Sequence, residues 1–201
     1  RKLNKDRQYP IAIMLDTQGP EIRTGDKVIT LISGKRVCVT IPPNEESEGT
    51  LFVNYVDLKD DLKEGSCISL DGGLMSLKVC GKNKKGLDCE VIDGGVVKAH
   101  RHVNLPGAIV NLPGITETDK RDILFGIEQK VDVIALSFVR SSETIREVRT
   151  LLGVHAQQIK LIAKIENQEG VERLEEIVQE ADGVMVARGD LGIEVELEEV
   201  P

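Results

Sequence analysis

The sequence lacks tryptophan, and aromatic side chains make up only 2% of its 201 residues. The 40% hydrophobic content must therefore come mainly from Val, Ile, Leu and Ala, which suits helices packed on parallel strands. No apolar run approaches the roughly 20 residues that cross a bilayer, and the opening segment has no apolar centre like that of a secretory signal. We expect a cytoplasmic protein without a membrane partner. Organelle targeting stays open, because we expect the natural N-terminus to lie upstream.

Basic residues are also in the minority, with 26 Lys and Arg against 34 Asp and Glu and a formal net charge of -8. No basic patch with interleaved aromatics is present, so nucleic acid is not an expected partner. The four cysteines have no C-x-x-C spacing, which argues against a zinc site and a disulfide framework. We predict that Cys38, Cys67, Cys80 and Cys89 are reduced thiols in the core.

Outside the segment 24–104, short β-branched runs alternate with segments of helical period, as in βαβ units. The predicted strands are 11–16, 131–138, 160–166 and 182–190. Helices are predicted after Thr116, Ser141 and Asn167, and a capping box is predicted between Thr116 and Asp119. The fold class is therefore α/β. The pattern indicates about four βα units of a partial (β/α)8 TIM barrel, formed by residues 1–23 and 105–201.

Residues 24–104 have a different texture, with short alternating segments separated by Gly, Pro, Asn and Lys clusters. No helix is predicted in this stretch. An all-β module that interrupts a βα series is best explained as a domain inserted into a loop of the parent fold. We therefore predict an inserted, barrel-like β-domain over 24–104.

Polar or charged side chains follow the apolar body of each predicted parallel strand. These are Asp16 and Thr17, Ser137 and Arg140, Lys164 and Glu166, and Arg188 and Asp190. In a (β/α)8 barrel the carboxyl ends of the strands carry the active site, because the loops there can vary while the strand bodies pack. The pattern predicts a charged barrel rim.

Lys164 and Glu166 are two residues apart, so on an extended strand both project to one side while Ile165 points into the packing. Glu166 and Asp190 together would leave excess negative charge, which a hard divalent cation such as Mg²⁺ could compensate. The alternative is an ordinary structural ion pair between Lys164 and Glu166. Likewise, 188–192 could be a surface turn.

The segment TQGPEIRTG, residues 17–25, resembles a phosphate-handling loop only loosely, since it lacks the lysine and spacing of a P-loop. Arg23 could bind phosphate through two N–H groups. A turn into the β-module, with Arg23 as a solvated surface residue, is the alternative.

Five segments, in order, resemble motifs of the pyruvate kinase family over essentially the whole chain: LDTQGPEIRTG, VNLPG, VDVIALSFVR, LIAKIENQEG and GVMVARGDLG. The resemblance implies phosphoryl transfer from phosphoenolpyruvate to ADP, giving pyruvate and ATP in glycolysis. It also implies Mg²⁺ or Mn²⁺ and K⁺ as cofactors, and a β-domain that acts as a mobile lid. The full-length protein is expected to be a homotetramer.

The resemblance also assigns roles to single residues. Glu166 and Asp190 would bind the divalent cation, and Lys164 would stabilise the transferring phosphoryl group and the developing enolate. Asp16 and Thr17 would be potassium ligands.

Further residues take ligand roles by the same resemblance. Arg23 would bind phosphate, and Glu21 matches the glutamate that accompanies potassium dependence. The residues of the phosphoenolpyruvate pocket would be Ala187, Arg188 and Gly189, with Ser137 and Phe138 nearby.

The chain departs from the family pattern at several positions. Gln18 stands where many members have lysine, and Gly72 replaces the second aspartate of the lid's D-D-G-L. In 99–104, AHRHVN differs from the common S-x-K-G-V-N, and Arg101 would replace a nucleotide-contacting lysine. Asn111 replaces a frequent aspartate. Because of these departures, the sequence does not predict which contacts close the lid.

Segments of the family that complete the site are absent from these 201 residues, and four strands do not close a barrel of eight. We expect the isolated chain to be inactive and poorly stable. Two alternatives remain: a non-catalytic relative that binds phosphorylated metabolites, and another barrel enzyme that acts on phosphoenolpyruvate or pyruvate.

Overall fold

A computed structural model describes residues 4–5, 8–45 and 47–195, which belong to two compact units. The first unit contains the residues up to Pro20 and Pro113–Ala187, and the second contains Glu21–Leu112 and the described part of 188–201. The second unit thus begins at Glu21 and ends its first segment at Leu112, where the sequence predicts an insertion over 24–104.

In chain order, the elements are β1 (Met14–Asp16), β2 (Ile29–Leu31), β3 (Arg36–Thr40), β4 (Thr50–Phe52), α1 (Leu58–Asp61), β5 (Cys67–Leu70), β6 (Met75–Lys82), β7 (Gly86–Asp93), β8 (Gly95–Val97), β9 (Val103–Asn104), α2 (Glu117–Glu128), β10 (Val133–Leu136), α3 (Ser142–Leu152), a 3₁₀ turn (Gly153–His155), β11 (Lys160–Ile165), α4 (Gln168–Glu172), α5 (Leu174–Glu180), β12 (Gly183–Val186) and α6 (Arg188–Glu194).

The first unit is built on a parallel sheet with the strand order β1-β10-β11-β12. Its core combines sheet residues such as Ile134 and Leu161 with helix residues such as Ile123 and Val148, all fully buried. Each large aliphatic side chain that is buried in this way contributes roughly 1.5–3 kcal/mol. The predicted α/β fold class with parallel strands is confirmed.

Three helix starts in the first unit were predicted from the sequence. Asn167 is the N-cap of α4, as predicted, and its side chain accepts a hydrogen bond from the Gly170 amide. The capping box is confirmed, because the Thr116 hydroxyl accepts from the Asp119 amide and the Asp119 carboxylate accepts from the Thr116 amide. Ser141 does occupy the N-cap position of α3, but its side chain makes no capping hydrogen bond. Helix α3 ends at Gly153, as predicted, with φ at 54°.

Several predicted elements of the first unit have different bounds in the structure. Strand β10 covers Val133–Leu136 instead of 131–138. Strand β1 covers Met14–Asp16 instead of 11–16, and β12 ends at Val186, the residue paired with Ile165 at the end of β11. The single helix predicted after Asn167 is divided into α4 and α5 at Arg173.

The second unit contains a six-stranded sheet with the order β4-β3-β7-β6-β5-β9 and a two-stranded sheet formed by β2 and β8. All pairs are antiparallel except β3 with β4. Leu70, Leu77 and Leu87 are among its fully buried core residues. The predicted β-rich module is confirmed, but the absence of a helix is not, because α1 lies between β4 and β5.

The cysteines are free, and only Cys89 is buried. Cys38 and Cys80 are half-buried, and Cys67 is exposed at the start of β5. The prediction that all four lie in the core is therefore wrong, because alternation along a strand places neighbouring positions on opposite faces of the sheet. Within the described ranges, no helix combines the length and apolar character that a bilayer-spanning segment needs.

Candidate active site

Polar side chains meet at the carboxyl edge of the parallel sheet in the first unit. Parallel strands all end at the same edge, so residues that follow different strands come together there. Asp16 ends β1, Ser137 follows β10, and Lys164 lies near the end of β11. Thr17 and Glu166 directly follow β1 and β11. The predicted convergence of these strand ends is confirmed within this unit.

The Lys164 ammonium group is at the centre of this cluster. Its Nζ lies 2.8 Å from Ser137 Oγ, 3.1 Å from Asp16 Oδ1 and 3.2 Å from Glu166 Oε1. Burial acts to lower the pKa of Lys164, but the carboxylates of Glu166 and Asp16 outweigh it and raise that pKa above its ordinary value. Lys164 is therefore a fixed cation at neutral pH.

Glu166 is almost completely buried, with 1% of its surface exposed. One carboxylate oxygen contacts Lys164, and the other accepts a hydrogen bond of 2.8 Å from the Phe138 amide. Phe138 has φ at 54°, a left-handed conformation that costs a non-glycine residue about 1 kcal/mol or more. The Glu166 carboxylate thus stabilises both a cation and an unusual backbone conformation. The prediction that Lys164 and Glu166 face one side of the strand is confirmed.

Ser137 connects Lys164 to the loop after β1. Its hydroxyl donates to the Thr17 carbonyl oxygen at 2.7 Å, which leaves Oγ lone pairs to accept from Lys164. The Ser137 amide donates in turn to Thr17 Oγ1 at 3.1 Å. These two hydrogen bonds fix Thr17 beside the end of β10.

The other predicted site residues are divided between the two units. Ala187 follows β12 in the first unit, and its amide donates to the Ile165 carbonyl at 3.2 Å. The second unit contains Glu21, Arg23, Arg101, Arg188, Gly189 and Asp190. Glu166 and Asp190 therefore lie in different units, and their joint binding of a divalent cation stays a prediction.

Arg23 and Glu21 form an ion pair in the second unit. Arg23 Nε donates to Glu21 Oε2 at 2.7 Å, and Nη2 lies 2.5 Å from the same oxygen. Nη1 donates to the His100 carbonyl at 2.7 Å. These contacts use three of the five N–H donors of the guanidinium group. The side chain is 36% exposed, so an anion can approach it.

Arg101 lies beside Asp71, with Nη1 3.4 Å from Asp71 Oδ1. Its backbone amide donates to Thr24 Oγ1 at 2.8 Å. Gly72, the departure noted in the sequence, follows Asp71 with φ at 71° and with open space around a Cβ built on it. An aspartate at position 72 would therefore meet backbone strain but no clash.

The sequence predicted that Arg188, Gly189 and Asp190 end a strand, and this prediction is wrong. They form the first turn of α6. The physical reason is that β12 has no partner residue on β11 beyond Ile165, and an acidic residue such as Asp190 favours a first helical turn.

Sequence reasoning missed a polar group around α6. His102 Nδ1 lies 3.9 Å from Asp190 Oδ1, and Asn104 Nδ2 donates to Glu194 Oε1 at 2.7 Å. Burial lowers the pKa of His102 and raises that of Glu194. No local signal could have found these contacts, because the partners are far apart in the chain.

The described residues contain no group of three or more His, Cys, Asp and Glu side chains arranged to hold a metal ion.

Together, the fold and the charged strand ends define a barrel-type α/β protein interrupted by a β-rich module. A sequence model of one family, described as "Pyruvate kinase, barrel domain", matches residues 1–201. The chain therefore belongs to the pyruvate kinase family.

Individual relatives agree with this assignment. The chain is 48% identical to a pyruvate kinase of Geobacillus stearothermophilus over its whole length, covering 35% of that protein. It is 46% identical to human pyruvate kinase PKLR, with 95% of the chain and 35% of the relative covered. It is 44% identical to plastidial pyruvate kinase 2 of Arabidopsis thaliana, with 95% and 33% covered. The chain thus spans about a third of the length of these relatives.

Proposed function

We propose that the intact protein containing this chain transfers a phosphoryl group from phosphoenolpyruvate to ADP, giving pyruvate and ATP. Family membership supports the reaction, and the observation that carries the proposal is the fixed Lys164 cation between Asp16, Ser137 and Glu166. Phosphoryl transfer depends mainly on positioning and on neutralising charge, and a pinned ammonium group at the carboxyl edge supplies both.

Lys164 acts on the charge that develops during transfer. Negative charge spreads over the phosphoryl oxygens and the enolate oxygen of the product, and an ammonium group close to both lowers the barrier. Asp16 is half exposed, with 53% of its side-chain surface accessible. An incoming phosphate can therefore compete with Asp16 for the Lys164 donors, while buried Glu166 keeps the lysine in place.

The oxygen ligands at the candidate cation sites suit the cations that the family implies. Glu166 and Asp190 offer carboxylate oxygens to Mg²⁺ or Mn²⁺, which prefer hard oxygen ligands. Asp16 and Thr17 offer carboxylate, carbonyl and hydroxyl oxygens to K⁺. When bound, the cations neutralise substrate charge. The protein contributes the oxygens and their orientation, since hydrogen bonds to Ser137 and Phe138 fix Thr17 and Glu166.

The remaining residues bind substrate in this proposal. Arg23, oriented by Glu21, binds phosphate, and Arg101 contacts the nucleotide. Ala187, Arg188 and Gly189 line the phosphoenolpyruvate pocket with Ser137 and Phe138. The β-rich unit serves as the lid that excludes water. We place the intact protein in the cytoplasm as a homotetramer.

The direct test is pyruvate formation by the intact protein with phosphoenolpyruvate and ADP, measured with Mg²⁺ and K⁺ and with each cation omitted. Turnover that requires ADP and both cations is the expected result. A folded protein that binds phosphoenolpyruvate by calorimetry without forming pyruvate would replace this proposal with a metabolite-binding role.

A further inference from the structure

Asp119 is a fully buried carboxylate that none of the assigned roles uses. One of its oxygens, Oδ2, accepts from the Thr116 amide at 2.8 Å and from the Thr116 hydroxyl at 2.7 Å, which completes the capping box of α2. The other, Oδ1, accepts at 3.0 Å from the Gly19 amide, 100 residues away in the chain. A helix cap needs only the first oxygen. The second ties α2 to the loop after β1.

The Gly19 loop packs directly on the candidate active site. Gly19 has φ at 76°, and a Cβ built on it would lie 2.9 Å from the Ser137 carbonyl oxygen and 3.0 Å from Ser137 Cβ. This loop also contains Thr17, whose carbonyl accepts from the Ser137 hydroxyl. Ser137 in turn accepts from Lys164. A continuous series of contacts thus joins Asp119 to Lys164.

We propose that Asp119 is a positioning residue for phosphoryl transfer: through the Gly19 amide it fixes the loop that sets Thr17 and Ser137 beside Lys164. The inference rests on the proposed function for its kinetic consequence, but its structural content is independent of that function. Thr17 is a candidate potassium ligand, so the loop position also sets the affinity for K⁺.

Only an acidic residue satisfies both neighbours. The groups that face the two Asp119 oxygens are donors: the Gly19 amide on Oδ1, and the Thr116 amide and hydroxyl on Oδ2. An asparagine has one acceptor oxygen and one NH₂ group, so in either orientation it must turn a donor toward a donor. Because the Thr116 side offers two donors and the Gly19 side one, the amide oxygen of an asparagine stays with Thr116 and its NH₂ group faces the Gly19 amide. Asp119→Asn therefore keeps the volume of the side chain and the capping box while breaking the attachment to Gly19.

Two variants and two matched controls separate positioning from general stability. Asp119→Asn releases the loop from α2, and Gly19→Ala displaces the same loop from Ser137 without touching the capping box. Asp132→Asn is the first control, since Asp132 accepts from the Ile13 amide at 2.8 Å near the opposite end of β1. Gly153→Ala is the second, because φ is also positive there but no atom lies within 4 Å of the added Cβ.

The experiment measures amide hydrogen exchange and potassium activation in the intact protein. We expect Asp119→Asn and Gly19→Ala to speed exchange in the peptide that contains Gly19. Both should lower kcat by about tenfold, as expected for a small misplacement of a catalytic group, and should raise severalfold the K⁺ concentration that gives half-maximal activity. A loss of folded protein alone would lower kcat without moving the K⁺ requirement. Both controls should leave the K⁺ requirement and the exchange at Gly19 unchanged.

The inference is overturned if Asp119→Asn speeds exchange only at the start of α2 while the K⁺ requirement stays that of the wild type, since Asp119 would then be a helix cap and nothing more. If the wild-type protein forms no pyruvate, the proposed function fails, and exchange at Gly19 alone decides whether Asp119 fixes the loop.

Discussion

A buried carboxylate needs compensation, and Glu166 shows how one residue obtains it. Removing a charge from water costs several kcal/mol unless partners satisfy it. Glu166 has a cation on one oxygen and the Phe138 amide on the other. The contact with Glu166 also keeps Lys164 charged. Hydrogen bonds to Asp16 and Ser137 orient its ammonium group. The pair of Lys164 and Glu166 can therefore stabilise the fold and also belong to the active site. The structural interpretation of the K-x-E pattern does not exclude the functional one.

Glu166→Gln separates these two roles. Glutamine can still accept from the Phe138 amide, so the protein should fold, but its NH₂ group would then face the Lys164 ammonium. We expect kcat to fall about 100-fold, the scale of losing one preorganised electrostatic contact, and the Mg²⁺ concentration for half-maximal activity to rise.

The matched control is Glu176→Gln. Glu176 also accepts from a backbone amide, that of Ser142 at 3.2 Å, but belongs to α5 instead of the strand ends. Steady-state kinetics over a range of Mg²⁺ concentrations provide the measurement. Activity of Glu166→Gln within twofold of the wild type would contradict the role given to Glu166.

Between elements, Asp182 links the amino end of β11 to α3. Its carboxylate accepts from the Leu161 amide at 2.9 Å, and lies 2.9 Å from Lys160 Nζ and 3.0 Å from Arg149 Nη2. Burial acts to raise the pKa of Asp182, but these partners outweigh it and lower the pKa to about 2. The ionised form is thus the one that stabilises the packing of this strand against the helix.

Asp182→Asn should lower stability in a pH-dependent way. A carboxylate whose pKa falls on folding stabilises the folded state above its ordinary pKa of 3.8, and this contribution is lost as pH falls through about 2. We expect a loss of about 1 kcal/mol at pH 7, allowing for solvent screening. Denaturant midpoints of variant and wild type should differ equally at pH 7 and pH 5, and should converge below pH 4. A difference that widens in acid would contradict the assignment.

The sequence was sufficient to predict features that depend on a few consecutive residues. It was not sufficient where residues distant in the chain determine an element's bounds or a contact. The capping box at Thr116 and the stop at Gly153 could be predicted because both are properties of a few consecutive residues. The start of α6 at Arg188 could not, because the length of β12 depends on its partner strand. The contact of Asp119 with Gly19 was missed for the same reason, although the cluster around Lys164 could be expected from the common edge of parallel strands.

For the whole molecule, the parallel sheet of the first unit ends at β1 and β12, each of which pairs with one strand among the described residues. Apolar side chains near both edges are exposed, including Ile13 and Met14 at β1 and Val184 and Val186 in β12. The backbone N–H and C=O groups of such edge strands can form hydrogen bonds with a strand of another chain.

Residues 1–201 expressed alone should therefore be inactive and should bind a hydrophobic dye such as ANS more strongly than the intact protein does. Fluorescence at equal chain concentration, together with sedimentation, provides the measurement. A monomeric, cooperatively unfolding fragment with no dye binding would show that the open edges need no cover.

If Lys164 performs the chemistry at the strand ends, a pair of lysine variants on one strand tests that role most directly. Lys160 lies at the amino end of β11 and pairs with Asp182, while Lys164 lies near the carboxyl end. Pyruvate formation by the intact protein should fall by about 100-fold or more in Lys164→Met and stay near the wild-type rate in Lys160→Met. Equal activity of a folded Lys164→Met protein and the wild type would contradict the catalytic role of Lys164.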